Sequence, residues 1–139
     1  MEQDKGSVQN MMRVGVVSAV FPERMTVKVA FDDKDDGEGN PLISAELPVL
    51  TWGSSKNRCY WMPDVDEQVW CLMLPNGHSA GICLGSYFSQ KMPPNASSIN
   101  KRRMDFDDGT FMEYDRSTHE LKIECVGDVI IKGKNIKLN

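Results

Sequence analysis

From Lys101 to Asn139 the chain reads as very short strands punctuated by glycine, with no helix for them to pack on. Leu121, Ile123 and Cys125 alternate with Lys122, Glu124 and Val126. Val129, Ile130 and Ile131 follow, then a turn at Gly133-Lys134-Asn135, then Ile136 and Leu138 on either side of Lys137. Alternation gives each strand one apolar face. Strands this short cannot cover that face alone. They need partners, and identical copies are the most accessible source. The pattern predicts a self-associating β-structure rather than a monomeric enzyme.

The rest of the chain is compatible with one compact domain preceding that appendage, since 139 residues are enough for a domain that hides roughly two-thirds of its unfolded surface. The net charge of −4 argues against a general nucleic-acid footprint. No apolar run approaches the roughly 20 residues that span a membrane. Met1 to Asn10 is polar, without an apolar signal segment, so use without Sec-type export is expected. Residues 1–11 are expected to be flexible, or to become ordered on a partner.

Arg13 to Phe21 is the first strand, rich in β-branched Val14, Val16, Val17 and Val20. Pro22-Glu23 turns the chain, and Met25, Val27, Val29 and Phe31 alternate with polar or small residues in a half-buried second strand. An acidic loop over 32–41 follows, then a strand over Ile43 to Leu50, then a long loop from Thr51 to Pro63. Gln68 to Leu74 is apolar nearly throughout, as for a strand buried on both faces. Pro75-Asn76-Gly77 turns into a fifth strand over Ala80 to Ser86. Five strands without a long helix fit a small barrel of the oligonucleotide/oligosaccharide-binding (OB) type over 12–90. Residues 91–100, with Pro93-Pro94 and Ser97-Ser98, have linker composition. After them, Phe106 to Phe111 reads as a tight hairpin with Asp108-Gly109 at its turn.

The motifs that resemble chemistry are weak. Gly77-His78-Ser79-Ala80-Gly81 matches a nucleophile elbow, but that chemistry needs a helix after the elbow and a strand-like segment follows. Asp32, Asp33, Asp35, Asp36 and Glu38 invite a calcium loop, yet Lys34 and Ile43 fall where two ligands belong, so a solvated hairpin tip is expected. His119-Glu120 lacks the second histidine of a zinc motif. Cys59, Cys71, Cys83 and Cys125 form no close pair in sequence and read as buried, reduced thiols. No catalytic residue, cofactor or metal is expected. Lys101-Arg102-Arg103 reads as salt-bridged by Asp105, Asp107 and Asp108 rather than as a phosphate site. Trp52, Tyr60, Trp61 and Trp70 are interleaved with polar residues, as on an oligonucleotide-binding face. With little positive charge nearby, core packing or a protein interface is the favoured role.

Taken in order, several segments resemble the baseplate assembly protein V family of contractile-tail phages, which is related to tailocin central spikes and to the VgrG proteins of type VI secretion. They are Arg13-Val14-Gly15-Val16-Val17, Val27-Lys28-Val29-Ala30-Phe31, Leu47-Pro48-Val49-Leu50, Trp61-Met62-Pro63-Asp64-Val65 with Glu67-Gln68-Val69, Ala80 to Ser86, and Phe106-Asp107-Asp108-Gly109-Thr110 with Glu113-Tyr114-Asp115. The resemblance implies an OB barrel followed over 101–139 by an intertwined three-chain β-helix or β-prism. It also implies a homotrimer on the tail axis, held by a baseplate hub protein and the tail tube, in a phage or tailocin particle assembled in the bacterial cytoplasm. Sheath contraction would drive such a spike into transient contact with the target envelope. Asp66 departs from the family by standing where glycine is common in its turn, a substitution that left-handed geometry tolerates. The chain also ends soon after the expected β-helix begins, so a separate tip protein or a blunt spike is expected. The candidate trimer-axis core is Leu121, Ile123, Cys125, Val129, Ile131, Ile136 and Leu138. The alternative reading is an OB-type binding module for single-stranded nucleic acid or glycan.

Overall fold

The computed structural model describes residues 11–35, 37–75 and 80–139. The chain divides into two compact units, Met1–Tyr87 and Phe88–Asn139. Among the described residues the structure is all-β, with antiparallel ladders and no helix. The expectation for residues 1–10, the Gly77-His78-Ser79 motif and Asp36 of the acidic loop lie outside the described residues.

In the first unit, β1 (Met12–Phe21) pairs on one side with β2 (Thr26–Asp35) and on the other with β5 (Gln68–Met73). Beyond β2 lie β3 (Pro41–Ile43) and β4 (Leu47–Pro48), and beyond β5 lies β6 (Gly81–Ser86). The strand expected over Ile43 to Leu50 is therefore split. Ser44 is the reason: its hydroxyl accepts the Val29 N–H at 3.0 Å, while its own N–H donates to the Val29 carbonyl at 2.9 Å. A side chain has taken a rung of the ladder, and 44–46 leave the sheet. What remains past the split is short, and the sheet is not closed into a barrel by a ladder. Its far edges meet through one parallel bridge, Val49 to Cys83, and one hydrogen bond from Leu50 N to Cys83 O at 3.1 Å.

The alternation of β1, β2 and β5 directs Val17, Val27, Val29, Phe31, Val69, Cys71 and Met73 inward, where Leu47 and Cys83 complete a fully buried core. Val20, Val49 and Met62 pack against it. Gln68 to Met73 is not covered on both faces: Val69, Cys71 and Met73 are buried, whereas Trp70 is 40% exposed. Cys71 and Cys83 face each other across β5 and β6 as free thiols. Hydrogen bonding to Cys83, and then burial, push the Cys71 thiol above its ordinary pKa. Cys59 and Cys125, also free, are exposed. For Cys125 the reason is that β9 ends at Glu124.

Asp66 adopts φ 73°, the left-handed conformation that an asparagine-like side chain tolerates. Its N–H donates to Val17 O at 2.8 Å, and Glu67 N–H closes the turn on Asp64 O at 3.2 Å. Gly81 has no such freedom to exploit but has no room either. A Cβ there would meet Leu72 O at 2.3 Å and the Met73 Cα at 2.8 Å, both backbone atoms that cannot swing aside. Gly81→Ala is expected to destabilise the first unit by about 1–3 kcal/mol, as overpacking does. A chemical melt at unchanged denaturant slope would check this.

Candidate self-association face

The second unit carries a three-stranded meander: β7 (Lys101–Asp105), β8 (Phe111–Asp115) and β9 (Glu120–Glu124). Its first turn is the hairpin read from the sequence. Phe106 N–H bonds Thr110 O at 2.9 Å, Gly109 N–H bonds Phe106 O at 3.1 Å, and Gly109 takes φ 96°. This is a three-residue loop ending in a left-handed glycine. The second turn uses Asp115, whose carboxylate accepts the Ser117 N–H at 2.9 Å while its carbonyl accepts the His119 N–H at 2.8 Å.

These turns fix the register, and the register sorts the side chains. Asp105, Phe111 and Glu124 stand in line; so do Met104, Met112 and Ile123; so do Arg103, Glu113 and Lys122; so do Arg102, Tyr114 and Leu121. Successive residues point to opposite faces. One face therefore collects Lys101, Arg103, Asp105, Glu113 and Lys122. The other collects Met104, Met112, Tyr114, Leu121 and Ile123, with Arg102 at its margin.

Four of these charged side chains, Lys101, Arg103, Asp105 and Glu113, form one ion-paired group. Arg103 donates to both oxygens of Asp105 at 2.8 Å and to Glu113 at 2.9 Å, and its guanidinium lies 4.1 Å from the Phe111 ring centroid. Lys101 reaches Glu113 at 3.5 Å. The salt bridging expected of the basic cluster is present, but Glu113 rather than Asp107 or Asp108 shares Arg103 with Asp105. The Arg103 hydrogen bond, aided by the charges of Lys101 and Arg103, holds Glu113 below its ordinary 4.5. Hydrogen bonds from Arg103 and Asn95 hold Asp105 below 3.8. A depressed carboxyl stabilises the folded sheet above the unfolded-state pKa, and that contribution is lost as pH falls through the folded value. The thermal midpoint of the second unit is thus expected to stay level from pH 7 to about 5 and to fall below the ordinary carboxylate range. Arg103→Met should flatten that acid limb, which melts recorded between pH 7 and 3 would show.

Among the described residues, none buries the apolar face. Met104, Met112, Tyr114, Leu121 and Ile123 are all exposed, and a shallow trough runs over Met104, Met112, Tyr114 and Leu121. Every residue from Arg116 to Asn139 is exposed. Strands expected near Val129 to Ile131 and Ile136 to Leu138 are not formed, because a strand needs a ladder partner and a single chain supplies none there. Of the seven candidate axis residues, the structure places Leu121 and Ile123 side by side on the meander's apolar face. Cys125, Val129, Ile131, Ile136 and Leu138 follow in a segment that belongs to no strand, with Leu138 91% exposed. Val126 and Ile130, outside that set, are exposed as well, so no one face of the tail is singled out. Met104, Met112 and Tyr114 were not anticipated. Counting outward from the Asp108-Gly109 turn would have found them, because it pairs Met104 with Met112.

None of the four interleaved aromatics lies in the core. Trp52 is 98% exposed, and Tyr60, Trp61 and Trp70 are exposed too. Among the described residues no group of three or more His, Cys, Asp or Glu side chains could hold a metal ion. No helix of the described residues is long and apolar enough to cross a membrane. The chain matches no protein-family model, and no curated protein matches it.

Proposed function

We propose that this chain is a structural, non-catalytic spike component that completes its fold by winding its C-terminal segment with two further copies of itself. It would form the central spike of a contractile injection baseplate, in a phage tail or tailocin, joining hub and tube to the tip and helping to breach the target envelope. The observation that carries this reading is the apolar face of β7–β9 continued by a tail of exposed Val, Ile and Leu residues. Contiguous apolar surface of that extent marks an interaction site. In a three-chain β-helix or β-prism, the tail strands find ladder partners on neighbouring chains, and the free edges of β7 and β9 are closed in the same step.

The ordered segments shared with the baseplate assembly protein V family supply the functional context. An OB-type barrel for the first unit is supported by the strand order β3-β2-β1-β5-β6 and by the parallel Val49–Cys83 bridge, which joins the residue after β4, a strand paired to β2 outside that order, to β6. Purified full-length protein is expected to have three times the chain mass by light scattering at micromolar concentration. A single-copy particle with an ordered tail would overturn the proposal.

One observation favours a binding module instead. Trp52, Tyr60 and Trp61 are exposed on the 51–63 loop, whose only charged residues are Lys56 and Arg58. Such a module would shift labelled single-stranded DNA with an affinity that falls steeply with salt. The spike reading predicts no such shift.

A further inference from the structure

The first unit has an uncovered apolar face of its own. On the outer side of β1, β5 and β6, Met12 lies opposite Leu72, which lies opposite Ile82, and Val14 lies opposite Trp70. The Trp70 ring is tilted against Tyr87 with centroids 6.0 Å apart. Leu84, the extra residue where the β5–β6 register shifts, adds to the same sheet. Met12, Val14, Trp70 and Leu84 are between 36% and 50% exposed, and Leu72 and Ile82 are half-buried. None of the six side chains is charged. A sheet that packs a core on one side ordinarily shows polar residues on the other. This one is apolar on both, which is why Gln68 to Leu74 reads as a strand buried on both faces.

We infer that this outer face packs against the same unit of a second copy, so that the self-interface extends from the tail into the first unit. The inference rests on the three-copy reading. The segment preceding Met11 is a poor cover, since Met1 and Val8 are its only large apolar residues. A second copy, by contrast, is already at hand. Residues 88–100 belong to the same compact unit as β7, with Asn95 bonded to Asp105 and Asn100 to Arg116, so each first unit is tethered directly to a unit that winds. Three tails wound together therefore hold three first units at an effective concentration in the millimolar range. Six side chains fall short of the roughly 20–30 residues a side of a self-sufficient interface. The face closes when the tail brings it to its neighbours and opens when the tail is removed. Its lack of charge also suits a permanent self-interface better than a transient foreign one.

The test is photo-crosslinking of the full chain carrying Trp70→benzoylphenylalanine, irradiated where light scattering reports three copies. The expected product is a covalent dimer of the chain. Its yield should be at least about fivefold above that from Trp52→benzoylphenylalanine, and unchanged on about tenfold dilution. Adding Val14→Lys, which charges the same face without entering the core, should abolish the excess. Equal yields from the two positions would mean random collision on the tether, and an adduct within one chain would mean self-cover. Either result in a three-copy sample overturns the inference and leaves the spike proposal standing. A single-copy full-length chain overturns both.

Discussion

A chain ending at Thr118 is expected to run as a single copy, a threefold drop in mass by light scattering, while its first unit melts as before. The truncation removes β9 and the exposed tail, and with them six of the exposed large apolar residues: Leu121, Ile123, Val129, Ile131, Ile136 and Leu138. Burying each such side chain stabilises an assembly by roughly 1.5–3 kcal/mol before ordering entropy is subtracted. The core of the first unit is untouched, since Val17, Val27, Val29, Phe31, Leu47, Val69, Cys71, Met73 and Cys83 all precede the cut. Met104, Met112 and Tyr114 stay exposed on β7 and β8, but two strands with one apolar face are marginal alone. A stable three-copy particle from residues 1–118 would show that association resides elsewhere, and the tail would then need another explanation.

What was legible in the sequence was whatever one strand decides for itself. Alternating or β-branched residues located β1 and β2, a nearly continuous apolar run located β5, the Pro75-Asn76-Gly77 signal set off β6, and Asp108-Gly109 located the β7–β8 hairpin, because each of these signals is local. The break at Ser44 was not legible: it depends on a hydroxyl meeting a particular N–H on β2, which only the register determines. The Glu113 partnership of Arg103 was hidden for the same reason, since the ion pair joins neighbouring strands. The aromatic residues misled in a different way. Trp52, Tyr60 and Trp61 have the bulk of core residues, but they sit on a loop held by its own hydrogen bonds, including Cys59 N to Gly53 O at 3.1 Å and Arg58 Nε to Ser55 O at 2.7 Å. That loop presents Trp52 to solvent instead of burying it.

The axis residues divide along the same line. Leu121 and Ile123 could be placed because β9 has β8 to pair with. From Cys125 onward the sequence has the short β-branched runs of strands, but the structure shows no strand, and the two facts agree if the missing ladder belongs to another chain. The same logic joins the tail to Gln68–Met73. In both places the side-chain pattern asks for more cover than is present: Gln68–Met73 is buried on one face only, and the tail is exposed throughout.

Ile123→Asp is expected to convert the full-length protein to a single copy at neutral pH with little effect on the fold of that copy. Ile123 lies opposite Met112, which lies opposite Met104, in the middle of the apolar face. It is 55% exposed in the single chain, so a polar replacement meets solvent there and leaves the core alone. In a three-copy winding, the same position gathers three carboxylates in an apolar setting. Each loses the burial energy of isoleucine and adds a desolvation cost of several kcal/mol. A penalty of about 4 kcal/mol already weakens association a thousandfold, and three such sites exceed it. Desolvation and like charge both raise the pKa of the introduced carboxyl in the assembled state. Its neutral form is therefore the one that assembly tolerates, and copies should reassociate as pH falls through that raised value. The titration should stop at about pH 5, before the Arg103–Glu113 network begins to lose its own charge. Ile123→Asn, similar in size and without a titrating group, should assemble weakly at every pH and show no such recovery. Light scattering across the pH series, with circular dichroism to follow the fold, separates these outcomes. An aspartate variant that stays fully assembled at pH 7 would place residue 123 outside the buried interface.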